Sequence, residues 1–365
     1  MWPKRTKKTP PAVENPAVSL THDEFEKLLN SFDYQLPPEL IANEPAVPRD
    51  TSKVLIYNRM EESTHIDSFF NIINYLPERA VIVFNQTKVI PAKFTLTKKT
   101  GGKVRALFLQ MIGDGVVALA SGSLAPGEIL AWEDGLTFTV RERNNQEVVL
   151  VPSFPVNNFR TLLTKYGETP LPPYIKDCTL SEDDRRKVYQ TVYATDEGSV
   201  AAPTAGLHFT EELIKKIEQS GRDVKHVTLH VNLGTFAPLT PQHYQTQALH
   251  TEEYSIESDT ADFLNKAKVE GRPIVAVGTT SVRTLESASE GPKLTRLAGL
   301  TDLFITESYH PKFVNCLVTN FHVPRSSLMM LVSAFVGRDR LLELYKFAIQ
   351  KKMRFFSFGD GMLII

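Results

Sequence analysis

Three short stretches concentrate hydroxyl, amide and imidazole groups where a strand is about to turn into a helix. They are Ala202-Pro203-Thr204-Ala205-Gly206-Leu207-His208, Gly278-Thr279-Thr280-Ser281, and Asn320-Phe321-His322-Val323-Pro324-Arg325-Ser326. In open α/β sheets, ligands settle beyond the carboxyl ends of strands, where helix N-termini offer free amides and a partial positive charge. A Gly-Thr-Thr-Ser taken alone is more often a turn and a cap, so it is the recurrence of three such loops that points to a polar-ligand site. Arg283 and Glu286, on the helix after Ser281, stand at i, i+3. Two readings stay open for them: a surface ion pair worth a few tenths of a kcal/mol, or a grip on a polar substrate.

Other chemistries find no support. No G-x-G-x-x-G follows a strand and no G-x-x-x-x-G-K-[ST] occurs, which disfavours dinucleotide and P-loop binding. The serine-hydrolase elbow G-x-S-x-G is absent too. His226 and His230 have helical metal-ligand spacing but fall on an expected strand, where they would stand about 13 Å apart, so no metal is expected. The formal net charge is -1, and a nucleic-acid site would have to be local. Between Arg79 and Met111 the bases Arg79, Lys88, Lys93, Lys98, Lys99, Lys103 and Arg105 occur without an Asp or Glu. That run is either a solvated face whose acids come from elsewhere in the chain or a contact for a phosphate backbone.

The frame that must hold these residues is legible in outline. Ala80-Val81-Ile82-Val83-Phe84 is a continuous apolar run, as in a parallel or mixed sheet buried on both faces. From about Lys93 to Pro155 short alternating segments are broken by Gly101-Gly102, Gly113-Asp114-Gly115 and Asn144-Asn145. These are hairpins too few for a large sandwich, and a small barrel fits. After Pro173, strands alternate with helices. A helix follows Thr210, with Gly221 past its end. Val227–Val231, Ile274–Val277 and Cys316–Asn320 are strands, the last two feeding helices near Val282 and Ser327. The expected fold class is α/β: a mixed α/β domain over 31–92 and 156–365, an inserted β-barrel over 93–155, and a flexible leader over 1–30.

The 365 residues, 42% hydrophobic and 23% charged, suffice for two domains or one domain with an insertion. No run approaches the roughly 20 apolar residues that span a bilayer, and the basic start has no apolar stretch behind it. Cys178 and Cys316 lie far apart, outside any disulfide framework or thiolate metal pattern. A cytoplasmic chain without membrane attachment is expected.

Gly198-Ser199-Val200-Ala201-Ala202-Pro203-Thr204-Ala205-Gly206-Leu207-His208-Phe209-Thr210 resembles the signature of the S-adenosylmethionine:tRNA ribosyltransferase-isomerase family of queuosine biosynthesis. Further blocks agree in order: Phe32-Asp33-Tyr34, Val89-Ile90-Pro91-Ala92, Pro170–Ile175, Tyr189–Ala194, Gly234-Thr235-Phe236, Val277–Arg283, Thr319–His322 and Phe355–Asp360. The resemblance implies an α/β domain with an inserted barrel. It implies S-adenosylmethionine as a consumed co-substrate, no metal, and tRNA as partner, with the chain acting as a monomer. The ribosyl group would be transferred to, and isomerised on, a 7-aminomethyl-7-deazaguanine in the anticodon loop. Epoxyqueuosine would form, and adenine and methionine would leave.

Such chemistry asks for a base beside the sulfonium and an acid at adenine, each positioned proton transfer being worth about 10²- to 10⁴-fold. On the resemblance, His208, His230 and His322 are the candidates. Thr204, Gly206, Asn320, Thr279, Thr280 and Ser281 fall to S-adenosylmethionine, the last three holding ribose hydroxyls or the methionine carboxylate with help from Arg283, and Glu286 facing the ammonium. Phe209, Phe236 and Phe321 stand as stacking surfaces or core. Lys88, Lys93, Lys98, Lys99, Lys103 and Arg105 fall to tRNA.

The chain departs from the family pattern in places. Lys53, Lys88 and Lys93 stand where Arg is usual, which keeps charge but loses the bidentate fork. Arg105 stands for Glu, Asn232 for Gly, and Thr306-Glu307-Ser308 for Tyr-Pro-Gly, the last adding an acid expected near the site. These leave two alternatives: a relative acting on another RNA nucleoside, or a catalytically silent tRNA-binding module.

Overall fold

The structure, a computed structural model, describes residues 20–232 and 238–365. Its strands in chain order are β1 (Lys53–Asn58), β2 (Ser63–Ser68), β3 (Val81–Asn85), β4 (Thr87–Val89), β5 (Lys93–Lys98), β6 (Lys103–Ile112), β7 (Gly115–Ala120), β8 (Ile129–Ala131), β9 (Thr137–Asn144) and β10 (Glu147–Pro152). There follow β11 (Asp196–Ser199), β12 (Asp223–Leu229), β13 (Ala248–Ser255), β14 (Ile274–Val277), β15 (Ser289–Glu290), β16 (Lys293–Leu294), β17 (Ala298–Leu303), β18 (Cys316–Asn320) and β19 (Gly361–Ile364).

Nine strands form one sheet in the order β17-β13-β12-β3-β14-β18-β19-β1-β2. The central four, β12, β3, β14 and β18, run parallel. Every residue of β3, β14, β18 and β19 is buried, which is why these segments read as unbroken apolar runs. One face packs Leu264, Leu285, Met329 and Leu331; the other packs Phe69, Ile72, Phe209 and Leu213. Because the central strands are parallel, their carboxyl ends share one edge. There the chain leaves β12 toward His230, β14 at Gly278 and β18 toward His322.

The six strands β5 to β10 close into a barrel in the order β10-β7-β6-β5-β8-β9. Alternate residues point inward, so Phe94, Leu96, Val104, Ala106 and Phe108 join Trp132, Phe138 and Phe159 in a separate core. The mixed α/β class with a small barrel is therefore what the sequence texture indicates.

Two details differ from expectation. The flexible leader expected through residue 30 does not reach that far, because His22–Asn30 form a helix. Thr21 and Glu24 make its capping box, and Phe25 and Leu29 anchor it in the main core. Residues 1–19 lie outside the described residues. The strand expected over Val227–Val231 leaves the sheet at Leu229. Asn85 clasps the Leu229 backbone from both sides there, and Val231 turns away to the Ser199 hydroxyl.

Candidate active site

The chain leaves β14 through Gly278, whose φ of +89° favours glycine, into the helix Thr279–Ala288. That helix has no side-chain cap, so its first-turn amides are open to a ligand. Beside it β18 ends on Asn320, and the 3-10 turn Thr204–His208 lies against it, with Thr204 Oγ1 donating to Asn320 Oδ1 at 3.0 Å. Thr204, Thr279, Thr280, Asn320 and His322 line one hollow together with Tyr174, Thr319, Phe356 and Ser357. It is a partly open cleft with a mainly apolar lining and a few convergent polar groups. The three polar stretches thus converge.

Hydrogen bonding fixes the state of two histidines. Asn320 Nδ2 donates to the Phe356 carbonyl at 3.2 Å and lies 3.2 Å from His208 Nε2. His208 Nε2 is therefore an acceptor, and Nδ1 carries the proton, which it gives to Ser52 Oγ at 2.8 Å. Ser52 passes its own proton to the Arg49 carbonyl at 3.1 Å. His208 is buried and stacked on Phe69 at 4.6 Å. Burial, with the charges of Arg354 and Arg49, pushes it down to about 3, so it is neutral at working pH. It stands behind Asn320, outside the lining of the hollow.

His322 does line the hollow. Its Nε2 lies 2.8 Å from Thr319 Oγ1, whose residue is fully buried with no other acceptor for its proton among the described residues. Thr319 donating to Nε2 satisfies that hydroxyl and leaves Nδ1–H as the ring's remaining donor. Burial pushes His322 down to about 3 as well. The arrangement offers a neutral imidazole donor, not a free lone pair.

His230 is elsewhere. It is half-buried, its Nδ1 lies 2.8 Å from Thr87 Oγ1, and its ring packs under Gly198, where an added Cβ would stand 2.9 Å from Cε1. Gly206 serves packing: a Cβ there would lie 1.8 Å from Tyr193 Oη. Ser281 is buried and donates to the Val277 carbonyl at 2.8 Å. Glu286 lines neither this hollow nor the one beside Arg283 and does not pair with Arg283; it accepts from Tyr309 Oη and from the amides of Lys312, Phe313 and Val314 at 2.9 to 3.0 Å, a clasp on that loop. Arg283 pairs with buried Glu252 and lines an adjoining hollow. Phe209 packs in the core against Phe69 and Phe84, and Phe321 against Tyr345 and Phe355; Phe236 lies outside the described residues. Glu307 is exposed and faces Arg338, accepting from its backbone amide at 3.2 Å, so it brings no charge to the site.

The basic run divides. Lys88, Lys93 and Lys98 meet Glu197, Glu168 and Glu128 at 2.9, 3.6 and 3.0 Å, acids contributed from elsewhere in the chain. Lys99, Lys103 and Arg105 are exposed with no ion-pair partner among the described residues, and Lys103 and Arg105 share the outer face of β6.

Sequence reasoning passed over Tyr174, Phe356 and Ser357. Tyr174 and Phe356 form an aromatic wall with centroids 4.8 Å apart, and Tyr174 Oη lies 2.7 Å from Ser357 Oγ. Both segments were among the resembling blocks, so the signal existed without a role attached. Thr319 too stood in a resembling block without a role, whereas Ser52 gave no signal, since a hydroxyl beside a buried strand reads as filler.

A family model described as queuosine biosynthesis protein matches residues 29–364. The S-adenosylmethionine:tRNA ribosyltransferase-isomerase of Thermotoga maritima is 42% identical over 340 residues, covering 92% of this chain and 99% of that protein. The protein of that name from Vesicomyosocius okutanii is 43% identical over 340 residues, covering 92% and 98%. The crystal structure of S-adenosylmethionine tRNA ribosyltransferase from Thermotoga maritima aligns with a TM-score of 0.53 at 33% identity, over 92% of this chain and all of that one.

Proposed function

The chain belongs to the queuosine biosynthesis protein family, and from that membership we propose that it is an S-adenosylmethionine-dependent tRNA ribosyltransferase-isomerase. It transfers and isomerises the ribosyl group of S-adenosylmethionine onto 7-aminomethyl-7-deazaguanine in tRNA, giving epoxyqueuosine and releasing adenine and methionine. The observation that carries the reading is the hollow where Thr204, Thr280, Asn320 and His322 meet at the carboxyl ends of parallel strands.

His322 acts as a hydrogen-bond donor through Nδ1–H, suited to the developing negative charge on departing adenine. A neutral imidazole does this without adding positive charge beside a sulfonium. His208 positions Asn320, and Asn320 takes the Thr204 proton, so the Thr204 hydroxyl turns its lone pairs toward the hollow. Neither imidazole has an uncommitted lone pair, so the proton beside the sulfonium goes to another acceptor. The Tyr174 and Phe356 rings offer faces for adenine or the splayed-out deazaguanine. Lys99, Lys103 and Arg105 hold tRNA phosphates, with the paired Lys88, Lys93 and Lys98 contributing less.

Purified protein incubated with S-adenosylmethionine and tRNA carrying the aminomethyl-deazaguanine is expected to release adenine and methionine in equal amounts. Absence of adenine release would overturn the proposal, and binding of that tRNA without turnover would favour a silent binding module.

A further inference from the structure

Within the helix Thr279–Ala288, Thr280 and Arg283 are one turn apart on one face, and both line a second hollow that adjoins the first across Thr279, Thr280 and Leu328. Each carries a buried polar atom that meets no partner among the described residues: Thr280 Oγ1 and Arg283 Nη2. The two residues are 8% and 6% exposed. The guanidinium cannot swing to satisfy itself, because Nη1 pairs with buried Glu252 and Nε donates to the Leu303 carbonyl at 3.2 Å. One donor, Nη2, is thus held fixed without a protein partner among the described residues. Orphaned buried donors are rare and cost about 1–3 kcal/mol each. Two on one helix face, beside uncapped first-turn amides, form a set of donors awaiting an acceptor. No Asp or Glu lines this second hollow among the described residues, and its walls include Leu249, Leu303, Ile305 and Leu331.

Resting on the reading of S-adenosylmethionine as co-substrate, we infer that Thr280, Arg283 and the first-turn amides of this helix form a carboxylate-binding cradle for its amino-acid end. The ribosyl and adenine parts then occupy the larger hollow, with Thr280 at the threshold between the two. A planar carboxylate matches an N–H edge and a hydroxyl held one helical turn apart, and apolar walls strengthen such charge-assisted bonds by excluding water. The cradle also assigns different tasks to adjacent hydroxyls. Thr280 faces ligand, whereas Ser281 is spent on the Val277 carbonyl and Glu286 on the loop amides.

The test compares calorimetric binding of S-adenosylmethionine with that of its decarboxylated analogue, which keeps the adenosyl group, the sulfonium and the amine. The wild-type chain is expected to prefer S-adenosylmethionine by roughly 10- to 100-fold, the usual worth of hydrogen bonds to a charged group. In Thr280→Val and in Arg283→Lys the preference should shrink several-fold while affinity for the analogue stays the same. Thr280→Val removes only an orphaned hydroxyl, so its melting temperature should hold or rise, which keeps the test clear of misfolding. Equal affinity for both ligands in the wild type, or a preference untouched in both variants, would overturn the cradle while leaving the co-substrate reading intact. Binding of neither ligand by the wild type would remove the co-substrate reading and the cradle with it.

Discussion

Replacing His208 by glutamine separates a positioning imidazole from a proton-transferring one. The folded chain keeps His208 neutral down to about 3, whereas its ordinary value is 6.5. Between those values the unfolded chain binds a proton that the folded chain refuses. The stability contributed here is therefore complete above the ordinary value and drains away as pH falls toward the folded one. At pH 5 the deficit is about 1.5 units, and at about 1.4 kcal/mol per unit that is about 2 kcal/mol lost relative to neutral pH. Glutamine does not titrate, yet its amide can donate to Ser52 and accept from Asn320, the two bonds His208 makes. Urea unfolding at pH 7.5 and pH 5 should show the acid-induced loss of stability to be about 2 kcal/mol smaller in His208→Gln than in wild type. The loss of stacking on Phe69 should cost about 1 kcal/mol at both values. Turnover at pH 7.5 should fall by less than about tenfold. Identical acid sensitivity in the two proteins would show that the imidazole is not held neutral. A fall beyond about 100-fold with folding unchanged would show that it moves a proton itself.

Thr319→Val removes the donor that fixes His322, so the nitrogen-15 shifts of that ring should change from the Nδ1–H form and kcat should drop about tenfold; unchanged shifts would refute the tautomer. Glu286→Ala leaves the amides of Lys312, Phe313 and Val314 without their acceptor. At about 1–3 kcal/mol for each of the two buried orphans, Phe313 and Val314, the urea-unfolding free energy should fall by about 2 kcal/mol or more. For tRNA, Lys103→Ala and Arg105→Ala should each lower the slope of log affinity against log salt by about one. Lys98→Ala, whose charge is already met by Glu128, should change it less.

The class of fold was legible because period and punctuation carry it. Continuous apolar runs marked β3, β14 and β18, and glycine or asparagine turns marked the barrel hairpins. The three converging loops were legible for the same reason, since each follows a strand or opens a helix at the edge where parallel strands end. What could not be read was the direction in which each polar group points. Thr280 and Ser281 are adjacent and chemically alike, yet helix phase sends one to the two hollows and the other to a carbonyl. The acids facing Lys88, Lys93 and Lys98 come from residues 197, 168 and 128, pairings that no local pattern encodes. The helix at His22–Asn30 is a different case. Thr21 with Glu24 is a capping box and Phe25 with Leu29 is helical spacing, so the signal stood in the sequence beneath a composition typical of leaders.

The electrostatics of the hollow bear on why a sulfonium would react there. No Asp, Glu, Lys or Arg lines it among the described residues, and the imidazole that does, His322, is kept neutral. A bound sulfonium would have no carboxylate against it, so its charge is held by dipoles alone, an environment in which attraction and repulsion are screened far less than in water. An uncompensated cation makes the neighbouring carbon–hydrogen bond more acidic, because losing that proton cancels the charge locally. Burial in that lining keeps His322 unprotonated, so it adds no second positive charge beside the first. A neutral His322 and an uncountered sulfonium are thus two consequences of one feature, a buried hollow lined by no ionised side chain among the described residues. A cationic anchor for the substrate's carboxylate has to come from outside that hollow, which is where Arg283 stands.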